Sequence, residues 1–137
     1  MSRLIVISAP SGAGKTSLAR LMAERCGGVT LLEDPGANPF LAGFYRDPQR
    51  NALPAQLFFL FQRVNQLESL RQTDMFGETQ VADFLMAKDR LFAEVNLDRN
   101  ELQLYDQVAA ALEFQPQPPD LVVYLQAPVD TLLFRIA

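Results

Sequence analysis

The chain passes directly from a short apolar run into a glycine-rich turn and then into a helical pattern. Leu4–Ser8 contains four consecutive apolar residues, and the next stretch reads Ala9-Pro-Ser-Gly-Ala-Gly-Lys-Thr16. From Lys15 onward the apolar residues recur at helical spacing until Gly27 and Gly28 interrupt the pattern. A strand, a glycine-rich turn and a helix in this order favour a fold in which strands and helices alternate.

The turn follows the phosphate-binding pattern G-x-x-x-x-G-K-[ST] with one departure. Ala9 stands at the first glycine position, at the exit from the strand, where no phosphate need touch a side chain. Lys15 would reach the β- and γ-phosphates of a nucleotide, and the Thr16 hydroxyl would hold Mg²⁺. The alternative is a glycine-rich turn with an incidental lysine. The predicted nucleotide site consists of Ser11, Gly12, Ala13, Gly14, Lys15, Thr16 and Ser17.

Strand-like and helix-like segments alternate along the rest of the chain. Apolar runs predict further strands at 29–32, 79–82 and 121–125. The last of these runs is apolar throughout, which is typical of a central parallel strand. Helical spacing predicts helices over 53–71, 88–95 and 101–114, and a final helix beginning near Pro128. We therefore predict a single α/β domain over residues 1–137, with a parallel sheet flanked by helices.

Composition excludes several classes of function. The net charge of −4 argues against a broad nucleic-acid-binding surface, and the absence of histidine excludes His-based triads and His-ligated metal sites. No segment is apolar enough for a membrane span, and the N-terminal apolar run is too short for a signal peptide. We therefore expect a cytoplasmic protein without a membrane partner. Cys26, the single cysteine, is expected to be buried near a helix end.

A series of short stretches follows the first helix in a specific order and spacing. They are Leu32-Glu33, Asn38-Pro-Phe-Leu41, Phe44-Tyr45, Gln56-Leu-Phe-Phe-Leu60, Arg63, Val81-Ala-Asp-Phe84, Lys88-Asp-Arg-Leu-Phe-Ala93, Leu104-Tyr105 and 119–128. This series resembles the deoxynucleoside kinase family, in particular its bacterial deoxyadenosine/deoxyguanosine kinase branch. The resemblance implies a P-loop kinase fold, ATP and Mg²⁺ as cofactors, and transfer of phosphate to the 5′-hydroxyl of a deoxynucleoside.

Two carboxylates follow predicted strands, where an open α/β sheet places its ligands. A 5′-hydroxyl needs a carboxylate to accept its proton, and the resemblance implies that Glu33 is this general base. Asp83 would lie next to the phosphate-binding turn, so Thr16, Asp83 and Glu33 are the predicted Mg²⁺ ligands. Glu33 could instead be a solvated loop residue, and Asp83 could cap the next helix. Phe84 stands where many family members carry an arginine.

Polar residues of the long helix point to the acceptor. Gln56 and Arg63 lie seven residues apart and share a helix face. The resemblance implies that Gln56 reads the base, that Arg63 and Asp89 form a charged pair beside it, and that Tyr45 contacts the sugar 3′-hydroxyl. Without the family, a surface glutamine and a solvated ion pair would be preferred. Phe59 is predicted either to stack on the base or to fill the core.

The other large aromatic residues are assigned to the interior. Phe58 and Phe92, like Phe59, could stack on the base or fill the core, and the core is preferred; Tyr105 and Tyr124 are assigned to packing. The resemblance further implies an arginine-rich lid and a last strand beyond the final helix, both of which we expect this chain to lack. It also implies a homodimer, for which the long helix offers Phe61 and Leu67.

Two other functions stay open from the sequence. The phosphate-binding turn also resembles that of guanylate kinases, but a nucleoside monophosphate kinase would need extra basic residues for the phosphate of its acceptor. The chain could also be a catalytically silent nucleotide-binding module, as a shortened C-terminus would suggest. The choice among deoxyadenosine, deoxyguanosine and deoxycytidine stays open as well, because one glutamine can serve several bases.

Overall fold

The structure, a computed structural model, describes residues 3–8, 14–73, 79–114 and 118–126. These residues form four strands and five α-helices, with a short 3₁₀ helix at Pro35–Ala37. In chain order the elements are β1 (Arg3–Ser8), α1 (Lys15–Cys26), β2 (Val29–Leu31), α2 (Leu41–Arg46), α3 (Pro48–Thr73), β3 (Thr79–Ala82), α4 (Ala87–Asn96), α5 (Arg99–Ala111) and β4 (Leu121–Tyr124). They gather into two compact units, and the single domain inferred from the sequence stays a prediction.

The first unit (Met1–Leu32, Arg71–Leu85 and Gln117–Ala137) contains a parallel sheet in the order β2-β3-β1-β4. Ile5 of β1 lies opposite Val81 of β3 on one side and Leu121 of β4 on the other. After β1 the chain passes to β2 and β3 on one side of β1, and after β3 it crosses to β4 on the other side. The strand order therefore reverses direction at β1. Ligands of open parallel sheets bind at such a point, beside the carboxyl ends of the strands. The predicted parallel α/β fold is confirmed.

Helix α1 packs on this sheet through small side chains. Ala19 and Ala23 meet Ile7 and Val81 in a buried cluster, and alanines let the helix backbone approach the strands closely. The helix ends at Gly27, whose φ of 65° is the left-handed cap conformation that glycine adopts readily. The sequence therefore placed both ends of α1 correctly. Cys26 is exposed, so its predicted burial is wrong: it is the last residue of α1, beyond the alanines that reach the core.

Strand β4 differs from its prediction as a central strand. Among the described strands it pairs with β1 alone, and its side chains at Leu121, Val122 and Tyr124 are exposed. The packing role predicted for Tyr124 is therefore not observed. Asp120 fixes the start of β4, since its carboxylate accepts from the Leu4 N–H at 2.7 Å and its own N–H donates to Leu4 O at 2.8 Å. The predicted helix near Pro128 lies outside the described residues.

The second unit (Glu33–Leu70 and Met86–Pro116) is helical. Its core joins α3 to α4 and α5 through Ala52, Leu60, Val64, Ala93, Leu97 and Tyr105. Helix α5 begins with a capping box, in which Asp98 and Glu101 each accept a hydrogen bond from the backbone N–H of the other. Helix α2 was not predicted, because its few residues follow closely on Pro39 in a stretch that reads as a loop. None of the helices described has the length and apolar character needed to cross a bilayer.

Helix α3 begins five residues earlier than predicted, at Pro48. Proline suits the first turn of a helix, where its missing N–H has no partner to lose. The buried side of α3 combines apolar Leu60 and Val64 with polar Gln56 and Arg63, whereas Phe61 is exposed. Glutamine and arginine side chains are mostly exposed in folded proteins, and arginine is rarely buried unless it is paired. Gln56 and Arg63 therefore mark α3 as the element that organises a polar site.

Candidate active site

The described part of the phosphate-binding turn begins at Gly14. This residue has φ of 88°, a left-handed conformation that residues other than glycine adopt only at an energetic cost. It caps α1, and the first helical hydrogen bond runs from the Leu18 N–H to Gly14 O at 3.0 Å. The N–H groups of Lys15, Thr16 and Ser17 belong to the first turn of α1, where backbone N–H groups can bind a phosphate. The other predicted members of the turn lie outside the described residues: Ala9, Ser11, Gly12 and Ala13.

Thr16 and Asp83 meet at the carboxyl end of the sheet. Thr16 Oγ1 donates to Asp83 Oδ2 at 2.8 Å, and the Asp83 carboxylate is buried. This contact forms because β3 lies beside β1, which brings the residue after β3 to the start of α1. No side-chain hydrogen bond caps the N-terminus of α4, so the alternative role of Asp83 as a helix cap is not observed.

A hydroxyl and a carboxylate are oxygen ligands of the kind that Mg²⁺ prefers. Thr16 and Asp83 therefore fit the predicted ion. Within the described ranges no three Asp, Glu, Cys or His side chains group as a metal site. Phosphate and water oxygens would have to complete the coordination, as is usual for Mg²⁺ bound with a nucleotide.

Arg63 joins two carboxylates in the second unit. Its Nη2 donates to Glu33 Oε1 at 2.7 Å, and its Nη1 pairs with Asp89 Oδ1. Arg63 is 6% exposed and Asp89 1% exposed, whereas the Glu33 side chain keeps 23% of its surface accessible. The predicted Arg63–Asp89 pair is confirmed, and its burial excludes the solvated alternative. The Phe59 ring contacts the guanidinium, with its centroid 5.1 Å from Arg63 Cζ, so Phe59 supports the cation.

Asp89 receives two further hydrogen bonds. The Tyr105 hydroxyl donates to Asp89 Oδ2, and Gln56 Nε2 donates to the Asp89 backbone carbonyl at 3.2 Å. Burial, followed by the hydrogen bond to Asp89, raises the pKa of the Tyr105 hydroxyl, which therefore keeps its proton at neutral pH. Gln56 is buried, so the alternative of a surface glutamine is wrong.

The segment after Glu33 is tied to α3 at two points. Gln62 Nε2 donates to Asp34 O at 3.2 Å, and the buried Asn38 donates from Nδ2 to Ala55 O at 3.1 Å. Because Arg63 lies on the same helix, these bonds and the Arg63–Glu33 ion pair fix one short segment. The backbone that carries Glu33 is thereby held in a fixed position against α3.

Three further aromatic side chains of interest differ in their exposure. Tyr45, predicted to contact the sugar, is 74% exposed at the end of α2 and touches the Phe44 ring, with centroids 5.7 Å apart. Phe92 is exposed, so its core position was predicted wrongly; it lies on the outward side of α4. Phe84, at the position of the family arginine, is buried and contributes apolar surface instead of charge.

Sequence reasoning missed the polar role of Tyr105 and the anchoring role of Asn38. Tyr105 was assigned to packing because it shares a helical stripe with Val108 and Leu112, and all three do contribute to the core. The available signal was the hydroxyl itself, because a buried tyrosine needs a hydrogen-bond partner. Nothing in the sequence identified Asp89 as that partner.

Most of the chain matches one protein family. Residues 5–137 match the family model of deoxynucleoside kinase. The chain is 33% identical over 135 residues to a deoxyguanosine kinase of Bacillus subtilis (strain 168), covering 96% of this chain and 64% of the relative. It is 32% identical over 146 residues to a deoxyadenosine kinase of Lactobacillus acidophilus, covering 99% and 66%. The chain thus spans about two thirds of the length of these curated relatives.

Solved structures share the fold. A deoxyadenosine kinase from M. mycoides, solved with the products dCMP and a flexible dCDP bound, superposes with a TM-score of 0.81 at 23% identity over 97% of this chain and 69% of that one. A structure of the same kinase with bound dATP gives 0.79 at 24% identity, over 97% and 70%. The predicted P-loop kinase fold is thereby confirmed. Because the family match runs through nearly the whole sequence, this protein belongs to the deoxynucleoside kinase family.

Proposed function

We propose that this protein transfers the γ-phosphate of ATP to the 5′-hydroxyl of a deoxynucleoside, with deoxyadenosine or deoxyguanosine as substrate. The observation that carries the proposal is the buried guanidinium of Arg63, which holds the accessible carboxylate of Glu33 at 2.7 Å. Arg63 lies on the same helix as Gln56 and fixes the Glu33 carboxylate. A carboxylate held in this way is suited to orient an acceptor and take up its proton. Membership of the deoxynucleoside kinase family supports this reaction.

The first unit would bind the phosphate donor. Its Lys15 and the N–H groups at the start of α1 would neutralise charge on the β- and γ-phosphates. Thr16 and Asp83, which already share a hydrogen bond, would hold Mg²⁺. When bound, this ion supplies positive charge to the phosphate oxygens. Little covalent chemistry is required of the protein in phosphoryl transfer, so positioning and charge are the main contributions of these residues.

The second unit would bind and activate the acceptor. A sugar hydroxyl is a weak nucleophile at neutral pH, and Glu33 would accept its proton as the oxygen attacks phosphorus. Arg63 keeps the Glu33 carboxylate in one orientation. Gln56 would bond the edge of the base, and the exposed hydroxyl of Tyr45 would be available to the sugar. Phe59 would serve the site through its contact with Arg63, whose pair with Asp89 would line the base.

The test is a phosphoryl-transfer assay with radiolabelled ATP and each of the four deoxynucleosides. GMP and a reaction without acceptor serve as controls. We expect a labelled 5′-monophosphate from deoxyadenosine or deoxyguanosine. Absence of product from all four deoxynucleosides would overturn the proposal, and product from GMP alone would establish a nucleoside monophosphate kinase instead.

We also propose a homodimer, on the basis of the family resemblance. The exposed ring of Phe61 on α3 is compatible with such an interface. Analytical ultracentrifugation of the wild type and of Phe61→Ser would test it, with a monomeric wild type as the contradicting result. Cytoplasmic localisation stays a prediction.

A further inference from the structure

Four side chains of the second unit form one unbroken series of polar contacts. The Tyr105 hydroxyl donates to one oxygen of Asp89, and Arg63 Nη1 pairs with the other oxygen. Arg63 Nη2 then donates to Glu33 at 2.7 Å. The series runs from α5 through α4 and α3 to the residue proposed as the proton acceptor. Tyr105 lies at its far end and has no place in the function proposed above.

The contacts around Asp89 decide how Arg63 is oriented. Each carboxylate oxygen of Asp89 has its own donor, so Arg63 serves it with a single nitrogen. Arg63 Nε is buried and has no hydrogen-bond partner in the described structure. An arginine and a carboxylate readily form a two-bond pair when both oxygens are available. The tyrosine hydroxyl occupies the oxygen that such a pair would require.

We propose that Tyr105 is a positioning residue for Glu33, because its hydroxyl keeps Asp89 from taking a second hydrogen bond from Arg63 and so reserves Nη2 for Glu33. Without this hydroxyl, Asp89 Oδ2 would be a buried carboxylate oxygen that has lost its donor. Nη2, which lies beside Nη1 at the end of the guanidinium, is the natural replacement. Turning the guanidinium to satisfy Asp89 would draw Nη2 away from Glu33. The inference rests on the proposed role of Glu33.

Two properties of Tyr105 suit this role. It is 2% exposed, so water cannot replace its hydroxyl easily. Burial and the bond to Asp89 raise the pKa of the hydroxyl, which remains a donor throughout the neutral range. Its ring belongs to the apolar core with Leu60 and Ala93, so a phenylalanine would preserve the packing while removing the donor alone.

The first measurement compares steady-state kinetics of the full chain with those of Tyr105→Phe. A small displacement of a catalytic group can reduce turnover about 10- to 100-fold, and we expect a loss of kcat in this range. The KM for ATP should change little. Tyr124→Phe, an exposed tyrosine on β4, is the matched control and should retain wild-type kcat. A Tyr105→Phe variant with wild-type kcat would overturn the inference and leave the proposed function intact.

The second measurement does not depend on activity. NMR spectra of protein labelled at arginine side chains and glutamate carboxyl carbons report Arg63 and Glu33, with assignments from Arg63→Lys and Glu33→Gln. We expect Tyr105→Phe to shift both the Arg63 guanidinium signals and the Glu33 carboxyl signal, and Tyr124→Phe to shift neither. An unchanged Glu33 signal would overturn the coupling even if the wild type proved inactive. Inactivity of the wild type towards all deoxynucleosides would overturn the proposed function separately.

Discussion

The phosphate-binding residues and the acceptor-side residues are assembled in different ways. Gly14 to Ser17 are consecutive in the chain, and one long-range contact, from Thr16 to Asp83, completes the described part of that site. On the acceptor side, Glu33, Arg63, Asp89 and Tyr105 lie 16 to 30 residues from the partners they contact. The first site depends on the local path of the backbone, and the second depends on buried side chains brought together by folding.

This difference predicts how substitutions on the two sides should affect activity and stability. Phosphate binding through backbone N–H groups needs little from the fold beyond a strand, a turn and a helix start. A buried ion pair, in contrast, becomes strongly destabilising when one partner is removed, because the other charge stays in the interior. Substitutions on the phosphate side should therefore change activity more than stability, whereas those at Arg63 and Asp89 should change both.

The largest effect is expected for Glu33→Gln. The amide cannot accept the proton of the sugar hydroxyl, and loss of a general base typically reduces turnover by about 10²–10⁴. Single-turnover transfer from labelled ATP measures this loss, and calorimetry should show unchanged ATP binding. Glu94→Gln, an exposed glutamate on α4, is the matched control and should behave as the wild type. A Glu33→Gln variant with more than about one tenth of wild-type turnover would contradict the role of a general base.

Arg63→Met tests the dependence of the second unit on its buried cation. Asp89 would keep a buried charge without its partner, which we expect to lower the free energy of unfolding by about 3–5 kcal/mol. Urea denaturation followed by circular dichroism measures the change. Arg90→Met removes an arginine whose ion pairs with Glu94 and Asp106 are exposed, and it should change stability little. Similar losses for both variants would show that burial does not distinguish the two arginines.

Asp83→Asn tests the phosphate side of the comparison. The asparagine side chain can still accept the hydrogen bond from the Thr16 hydroxyl, but it lacks the charge that would bind Mg²⁺. We expect transfer to fall about 10- to 100-fold at limiting Mg²⁺ and to recover in part at higher concentrations. The free energy of unfolding should fall less than in Arg63→Met. Loss of stability as great as in that variant would remove the distinction between the two sides.

Much of the phosphate side could be predicted because its information is local. The helix from Lys15, its end at Gly27 and the position of Asp83 after β3 follow from glycines and apolar runs. The approach of Asp83 to Thr16 required only that β1 and β3 be neighbours in a parallel sheet. The backbone of a turn is specified by the residues within it, so a single sequence is sufficient.

The acceptor side was predicted only where the family resemblance named a residue. Periodicity identifies which residues share a helix face, but it does not say which element will cover that face. Phe92 was therefore expected inside and is exposed, whereas the hydroxyl of Tyr105 donates to a carboxylate on another helix. Pairing of that kind depends on the packing of α3, α4 and α5 together, which no local pattern records.

The smallest predicted effect is the loss, at alkaline pH, of the stability that the Tyr105 hydroxyl contributes. Burial first, and then the bond to Asp89, raises the pKa of this hydroxyl in the folded chain, whereas an unfolded tyrosine titrates near about 10. The unfolded chain therefore loses the proton first. The stabilising contribution of the hydroxyl is fully present below about pH 10 and declines as the pH rises through the folded pKa.

Wild type and Tyr105→Phe should thus differ in free energy of unfolding by about 1.5–3 kcal/mol at neutral pH, as for a hydrogen bond to a charged group. The difference should stay constant up to about pH 9 and shrink above about pH 10, because only the wild type can ionise at this position. Urea denaturation at intervals between these values and about pH 11 measures it, with Tyr124→Phe as the control for an exposed tyrosine. A constant difference would mean that the hydroxyl ionises alike in the folded and unfolded chains, whereas no difference at any pH would mean that Tyr105 contributes through its ring alone. The acceptor side would then depend on tyrosine packing, and its contrast with the phosphate side would rest on the Arg63–Asp89 pair.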